Sequence, residues 1–143
     1  MSNYSKDEFK LIEFNKNNLN LINILLKYSR RNCRDELDKG YVMTCLKNVD
    51  IGFSFCIKNI PFGFICVNTM NNEELHISII CTVKNNNNLG SKLLDIVFQH
   101  AKQNNYKLIT LECDEKLEQF YKKFGFFVAN RLELDFLDMA KKI

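Results

Sequence analysis

Between Ile51 and Cys113 the hydrophobic pattern changes period twice, and few folds accommodate such a change. Ile51–Lys58 and Phe62–Thr69 are rich in β-branched and aromatic residues and read as a hairpin about Asn59-Ile60-Pro61. Glu73–Val83 reads as a third strand after the Asn71-Asn72 turn, and in Glu74-Leu75-His76-Ile77-Ser78-Ile79 polar and apolar residues alternate. Leu89–Asn104 then sets Leu89, Leu93, Ile96, Val97 and Ala101 on one helical face, and Lys107–Cys113 returns to a strand. Three meandering strands followed by a strand–helix–strand crossover predict an α/β fold, a mixed β-sheet flanked by helices on both faces. The flanks extend it. Lys10–Phe14 reads as a strand, Asn17–Tyr28 as an amphipathic helix, Tyr41–Leu46 as part of a second helix, Lys116–Phe124 as a helix and Phe126–Leu137 as one or two strands. At 143 residues, residues 1–143 are expected to form a single domain.

Composition narrows the function classes. The net charge of +3 is mild beside the strong basic stripe of a dedicated nucleic-acid binder. Apolar runs last only a few residues, which argues against a membrane-spanning helix. The polar, acid-containing start Met1–Glu8 does not read as a signal or transit peptide, so a cytoplasmic protein is expected. The six cysteines (33, 45, 56, 66, 81, 113) contain no CxxC pair, and only His76 and His100 could join them. A metal site is therefore not expected, and free buried thiols in a reducing compartment are.

Two segments carry chemistry. In Ile79-Ile80-Cys81-Thr82-Val83-Lys84-Asn85-Asn86-Asn87-Asn88-Leu89-Gly90-Ser91 a buried strand ends, a short polar loop follows, and a long helix starts at Leu89 or Gly90. A helix start offers unpaired N–H groups to an anion, and glycine lets a ligand approach the backbone. Asn88 as a plain N-cap explains the same residues. About 30 residues on, Leu117, Phe120, Tyr121 and Phe124 share a helical face, with Gly125 at the residue past the helix end and Phe126 re-entering the core. This pair of segments resembles the GNAT N-acetyltransferase superfamily over about residues 50–128. The coenzyme-A loop Q/R-x-x-G-x-G/A stands here as Asn85-Asn86-Asn87-Asn88-Leu89-Gly90, and A-x-x-F-Y-x-x-x-G-F as Leu117 to Phe126. Pro61-Phe62-Gly63-Phe64 sits where the family often has V-G-F. Asn85 replaces the family's Gln or Arg, and Asn88 a glycine; asparagine tolerates positive φ, so the loop could still close.

What the resemblance implies is transfer of an acetyl group from acetyl-CoA to an amine acceptor, a small molecule or a protein amine, by direct attack. An alkylamine with a pKa of about 10.4 must first lose a proton. Glu74, fourteen residues before Asn88, matches the glutamate base of the histone-modifying branch, and Glu112 that of the ribosomal-protein-acetylating branch. His76 shares the face of Glu74 and could relay a proton. Tyr121 matches the family's general acid, although helical spacing also explains it as a core aromatic. Main-chain groups of Ser78, Ile79 and Ile80 would hold the pantetheine and the acetyl oxygen. Asn85, Asn86, Asn87, Asn88, Leu89, Gly90 and Ser91 would cradle the pyrophosphate, with charge from Lys84 or Lys92. Arg30, Arg31 and Arg34 would border the acceptor. A monomer or homodimer is expected. The alternative is a non-catalytic GNAT-like module that binds an acyl-CoA or a protein.

Overall fold

The hairpin at the centre of the fold closes through a tighter turn than its sequence suggests. In the computed structural model, which describes residues 9–33, 38–82 and 87–143, β2 (Ile51–Ile57) and β3 (Ile60–Thr69) are joined by Lys58 and Asn59. Both turn residues have positive φ, 49° and 66°, the conformation of a two-residue turn that matches strand twist. The expected Asn59-Ile60-Pro61 separator is thereby corrected. Pro61 lies within β3 opposite Cys56, where the register shifts between Phe55 and Cys56, and such an irregularity tolerates a residue without an N–H.

The remaining elements follow in the expected order. They are β1 (Lys10–Phe14), α1 (Leu19–Asn32), α2 (Lys39–Lys47), β4 (Glu74–Thr82), α3 (Asn87–Gln103), β5 (Leu108–Asp114), α4 (Glu118–Lys122), β6 (Phe127–Arg131) and β7 (Phe136–Lys142). The strands form one seven-stranded mixed sheet of order β1-β2-β3-β4-β5-β7-β6. Only β4 and β5 pair in parallel among the registers described, as the crossover through α3 requires. No helix among the described residues is long and apolar enough to cross a membrane.

The chain divides into two compact units, one formed by the chain up to Val67 with Ile79–Asp95, the other by Asn68–Ser78 with Ile96–Ile143. In the first, the apolar stripe of α1 (Ile22, Leu25, Tyr28) and Val42 and Leu46 of α2 form one core with Phe64 and Cys66 of β3 and Ile79 and Cys81 of β4. In the second, Leu75, Ile77, Ile109, Leu111, Leu137 and Met139 are the buried alternate residues of β4, β5 and β7. Val97, Phe98 and Ala101 of α3 are buried there too, with Phe98 at 5.9 Å from Phe126 and under the Lys141 ammonium at 5.0 Å.

One expectation about the cysteines is overturned. Cys33, which caps the end of α1, and Cys81, near the end of β4, are joined in a disulfide with Cα atoms 5.9 Å apart. Cys45, Cys56, Cys66 and Cys113 are the free, buried thiols. The two bonded residues are 48 apart in sequence, and only the packing of a helix end beside a strand end makes them neighbours. A reducing compartment loses the support that six free thiols would have lent it. Thiol titration in denaturant is expected to give four groups before reduction and six after it. Reduction should also lower the melting temperature, since a cross-link of this kind typically stabilises by about 2–4 kcal/mol. Six thiols before reduction would remove the bond from the account.

Candidate active site

A strand's backbone groups must find partners, so the place where a ladder stops is where a site can begin. The parallel ladder of β4 and β5 runs from Glu74 opposite Leu108 to Ile77 opposite Leu111 and then ends. From Ile79 to Thr82 β4 continues without β5 beside it, and β5 runs on to Asp114 paired with β7 alone.

Alternation then sorts the side chains. Leu75, Ile77, Ile79 and Cys81 are buried, while Glu74, His76, Ser78 and Ile80 are half-buried on the opposite face. The register places Thr110 opposite His76, and the two are bonded, Nδ1 to Oγ1, at 2.9 Å. The Thr110 hydroxyl donates in turn to Glu74 Oε2 at 3.3 Å. Glu74 and His76 are thus brought together through a residue that alternation alone does not single out. Glu112 shares the face of Thr110 but is exposed and lies opposite Asp138 of β7; it takes no part in the network. Glu73, off the strand, pairs with Lys107 at 3.2 Å in solvent.

At the other end of β4, α3 begins at Asn87, earlier than expected, so Asn88, Leu89 and Gly90 lie in its first turn. The first four N–H groups of a helix have no partner within it, and among the described residues these are the N–H groups of Asn87, Asn88 and Leu89. Leu89 is buried, Gly90 and Ser91 are half-buried, and Asn88 is exposed. Asn88 is helical, so the tolerance of asparagine for positive φ is not what this position uses. A Cβ added at Gly90 would meet nothing within 4 Å among the described residues, and its φ is ordinary. Neither packing nor backbone geometry therefore requires a glycine there, whereas a ligand close to the backbone would. Lys84, Asn85 and Asn86, like Arg34, lie outside the described residues, as does the side chain of Asn87.

Tyr121 is held by the end of its own helix. The N–H of Phe126 bonds back to the carbonyl of Tyr121 at 3.3 Å, and that of Gly125 to Lys122 at 3.0 Å, with Gly125 at φ 91°. These two bonds and the left-handed residue past the helix end form a Schellman cap. The ring of Tyr121, 8% exposed, meets Phe120 at 5.1 Å and Phe126 at 5.7 Å, both edge to face. Its place is fixed by backbone and aromatic packing together. Three of the free cysteines are poor nucleophiles: burial pushes the Cys56 and Cys66 thiols up, and burial followed by Asp114, Glu118 and Glu112 pushes Cys113 up to about 11.

Residues 51–142, well over half of the chain, match the family described as the acetyltransferase (GNAT) domain. The chain belongs to the GNAT acetyltransferase family. Solved structures with the same fold include aminoglycoside 6′-acetyltransferase type Ii, with a TM-score of 0.74 and 18% identity over 93% of this chain and 96% of that one. Ard1 from Thermoplasma volcanium gives 0.72 at 15% identity over 95% and 98%, respectively. PaiA N-acetyltransferase from Thermoplasma acidophilum, in complex with coenzyme A, gives 0.69 at 14% over 94% and 99%. At these identities the likeness is one of fold. No curated protein matches the sequence.

In this GNAT domain the residue that sequence reading missed is Thr110. Its only signal was the spacing of two from Glu112, which places both on one face of β5. The Schellman cap yields a test of how Tyr121 is held. Gly125→Ala places a Cβ at φ 91° and against the Lys141 ammonium, so stability should fall by about 1–2 kcal/mol. Thermal or denaturant unfolding checks this, and an unchanged midpoint would show that the cap does not constrain the helix end.

Proposed function

We propose that the protein transfers the acetyl group of acetyl-CoA to the amine of an acceptor. One observation carries the reading: β4 leaves β5 after Ile77, and the chain returns as a helix whose first-turn glycine faces open space. The edge of Ile79–Thr82, past the end of the ladder, suits the amide groups of a pantetheine arm, and the unpaired N–H groups of Asn87, Asn88 and Leu89 suit a pyrophosphate, with Gly90 letting it approach the backbone. Asn85, Asn86 and Ser91 would complete the phosphate cradle. A main-chain N–H in the Ser78–Ile80 stretch would face the charge that develops on the acetyl oxygen.

The protein's side chains then move two protons. The acceptor's ammonium gives one up to the polar face that carries Glu74, and the neutral amine attacks the thioester carbonyl. A positioned base contributes about 10²–10⁴-fold. The Tyr121 hydroxyl donates to the departing thiolate, and the second proton, shed by the acylated nitrogen, passes to the Tyr121 oxygen and restores the phenol. Glu112, on the same face two residues past Thr110, is the alternative proton acceptor on β5. The acetyl group ends on the amine, and coenzyme A leaves as a thiol.

A thiol-release assay with acetyl-CoA and a panel of polyamines, aminoglycosides, arylalkylamines and peptide N-termini tests the activity and identifies the acceptor class. Glu74→Gln and Tyr121→Phe are each expected to lower turnover by about 10²-fold or more, with acetyl-CoA affinity near wild type. A larger loss in Glu112→Gln than in Glu74→Gln would move the base to β5. Coenzyme-A binding without thiol release from any amine would leave a non-catalytic binding module.

Gly90 separates ligand contact from fold. Gly90→Ala should leave the free protein as stable or up to about 1 kcal/mol more so, because alanine suits a helix better than glycine. The same change should weaken coenzyme-A binding, and Gly90→Val should abolish it. In the wild type, coenzyme A at 100 times its dissociation constant should stabilise by about 2.7 kcal/mol. Undiminished binding to Gly90→Val would place the phosphates elsewhere.

A further inference from the structure

We propose that Glu74, Thr110 and His76 form a one-way hydrogen-bond chain that fixes the tautomer of His76 and makes its Nε2 the atom that takes the proton from the acceptor amine. The direction follows from counting hydrogens. A hydroxyl has one hydrogen, and a carboxylate can only accept. The Thr110 hydrogen goes to Glu74 Oε2, at 3.3 Å. Thr110 Oγ1 therefore has only lone pairs left for His76, so the 2.9 Å contact must be Nδ1–H donating to Oγ1. A neutral imidazole protonated at Nδ1 carries its free lone pair on Nε2. Nε2 has no hydrogen-bond partner among the described residues. The other charged groups on this face, Glu112 of β5 and Asp138 and Lys142 of β7, make no hydrogen bond to His76 either.

The roles then divide. His76 is the catalytic base, while Thr110 and Glu74 are positioning residues that act through it. The ammonium N–H bond of the acceptor breaks as its proton joins Nε2, giving a neutral amine and an imidazolium. Nδ1–H stays bonded to Thr110, and the Glu74 carboxylate remains ionised and stabilises the new charge through the hydroxyl. After acetyl transfer the Nε2 proton passes to solvent. The catalytic half of this proposal rests on the acetyl-transfer reading; the tautomer does not.

The test reads the tautomer directly. Long-range proton–nitrogen correlation spectra of the full chain labelled with ¹⁵N-histidine distinguish a protonated Nδ1 from a protonated Nε2. They are recorded without acetyl-CoA, at a pH that keeps imidazole neutral, with His76→Gln assigning the signals against His100. The expected wild-type result is a protonated Nδ1. Thr110→Val should return His76 to the Nε2–H form that unconstrained histidine favours, and Thr110→Ser should restore the wild-type spectrum. In turnover, His76→Gln should lose about 10²-fold or more. Thr110→Val should lower kcat with KM for acetyl-CoA unchanged, and Thr110→Ser should recover it. A protonated Nε2 in the wild type overturns the proposal, and that spectrum decides it even if Thr110→Val does not fold. A protonated Nδ1 that persists in folded Thr110→Val overturns it as well. The expected tautomer with no amine acetylated would sink the proposed activity and the catalytic role of His76 together, leaving only the hydrogen-bond chain. Acetylation with the wrong tautomer would sink both the chain and the role of Nε2 while leaving the acetyl transfer standing.

Discussion

The four-residue length of the β4–β5 ladder is the constraint on which the candidate site depends. Parallel strands normally continue pairing, because each unpaired N–H or C=O must otherwise find another partner. Here the ladder ends at Ile77 opposite Leu111 although both strands run on. β5 remains paired with β7 as far as Asp114, so the loss falls on one edge and does not unravel the sheet. The buried alternate residues of β4 continue unbroken across the end of the ladder, through Leu75, Ile77, Ile79 and Cys81. The strand therefore stays packed beyond the point where its ladder with β5 ends.

The same alternation that buries those residues pushes Glu74 and His76 to the other face, where β5 supplies Thr110. A hydroxyl between an imidazole and a carboxylate has only one arrangement of hydrogens that satisfies all three, and it orients the ring. The buried cysteines do the reverse. Burial raises the thiols of Cys56, Cys66 and Cys113, so they stay protonated and act as small apolar residues. In the proposed reaction, proton traffic belongs to the sheet's polar face and to Tyr121.

Tyr121 shows how one residue can satisfy packing and chemistry at once. Its carbonyl closes the Schellman cap, its ring packs edge to face with two phenylalanines, and its hydroxyl is the group to which the proposed reaction gives the role of acid. Gly125 makes the cap affordable by taking φ 91° without a Cβ penalty.

By itself the sequence determined the order of elements, the core face of each strand and helix, and the two segments of the family signature. These are local properties: alternate or 3.6-residue burial is written into neighbours, and Gly125 announces its own turn. The expected strand Lys10–Phe14 stands as read, and the helix that carries Leu89, Leu93, Val97 and Ala101 is present with its start moved from Leu89 to Asn87. Tertiary structure alone decided the rest. Thr110 meets His76 across 34 residues and Glu74 across 36, and Cys33 meets Cys81 across 48. The Lys58–Asn59 turn displaced the expected one because pairing across the hairpin set the register, with Pro61 accommodated at the irregularity opposite Cys56. Each of these depends on the register of one strand against another or on where a helix end comes to rest, and no periodicity within a segment encodes either.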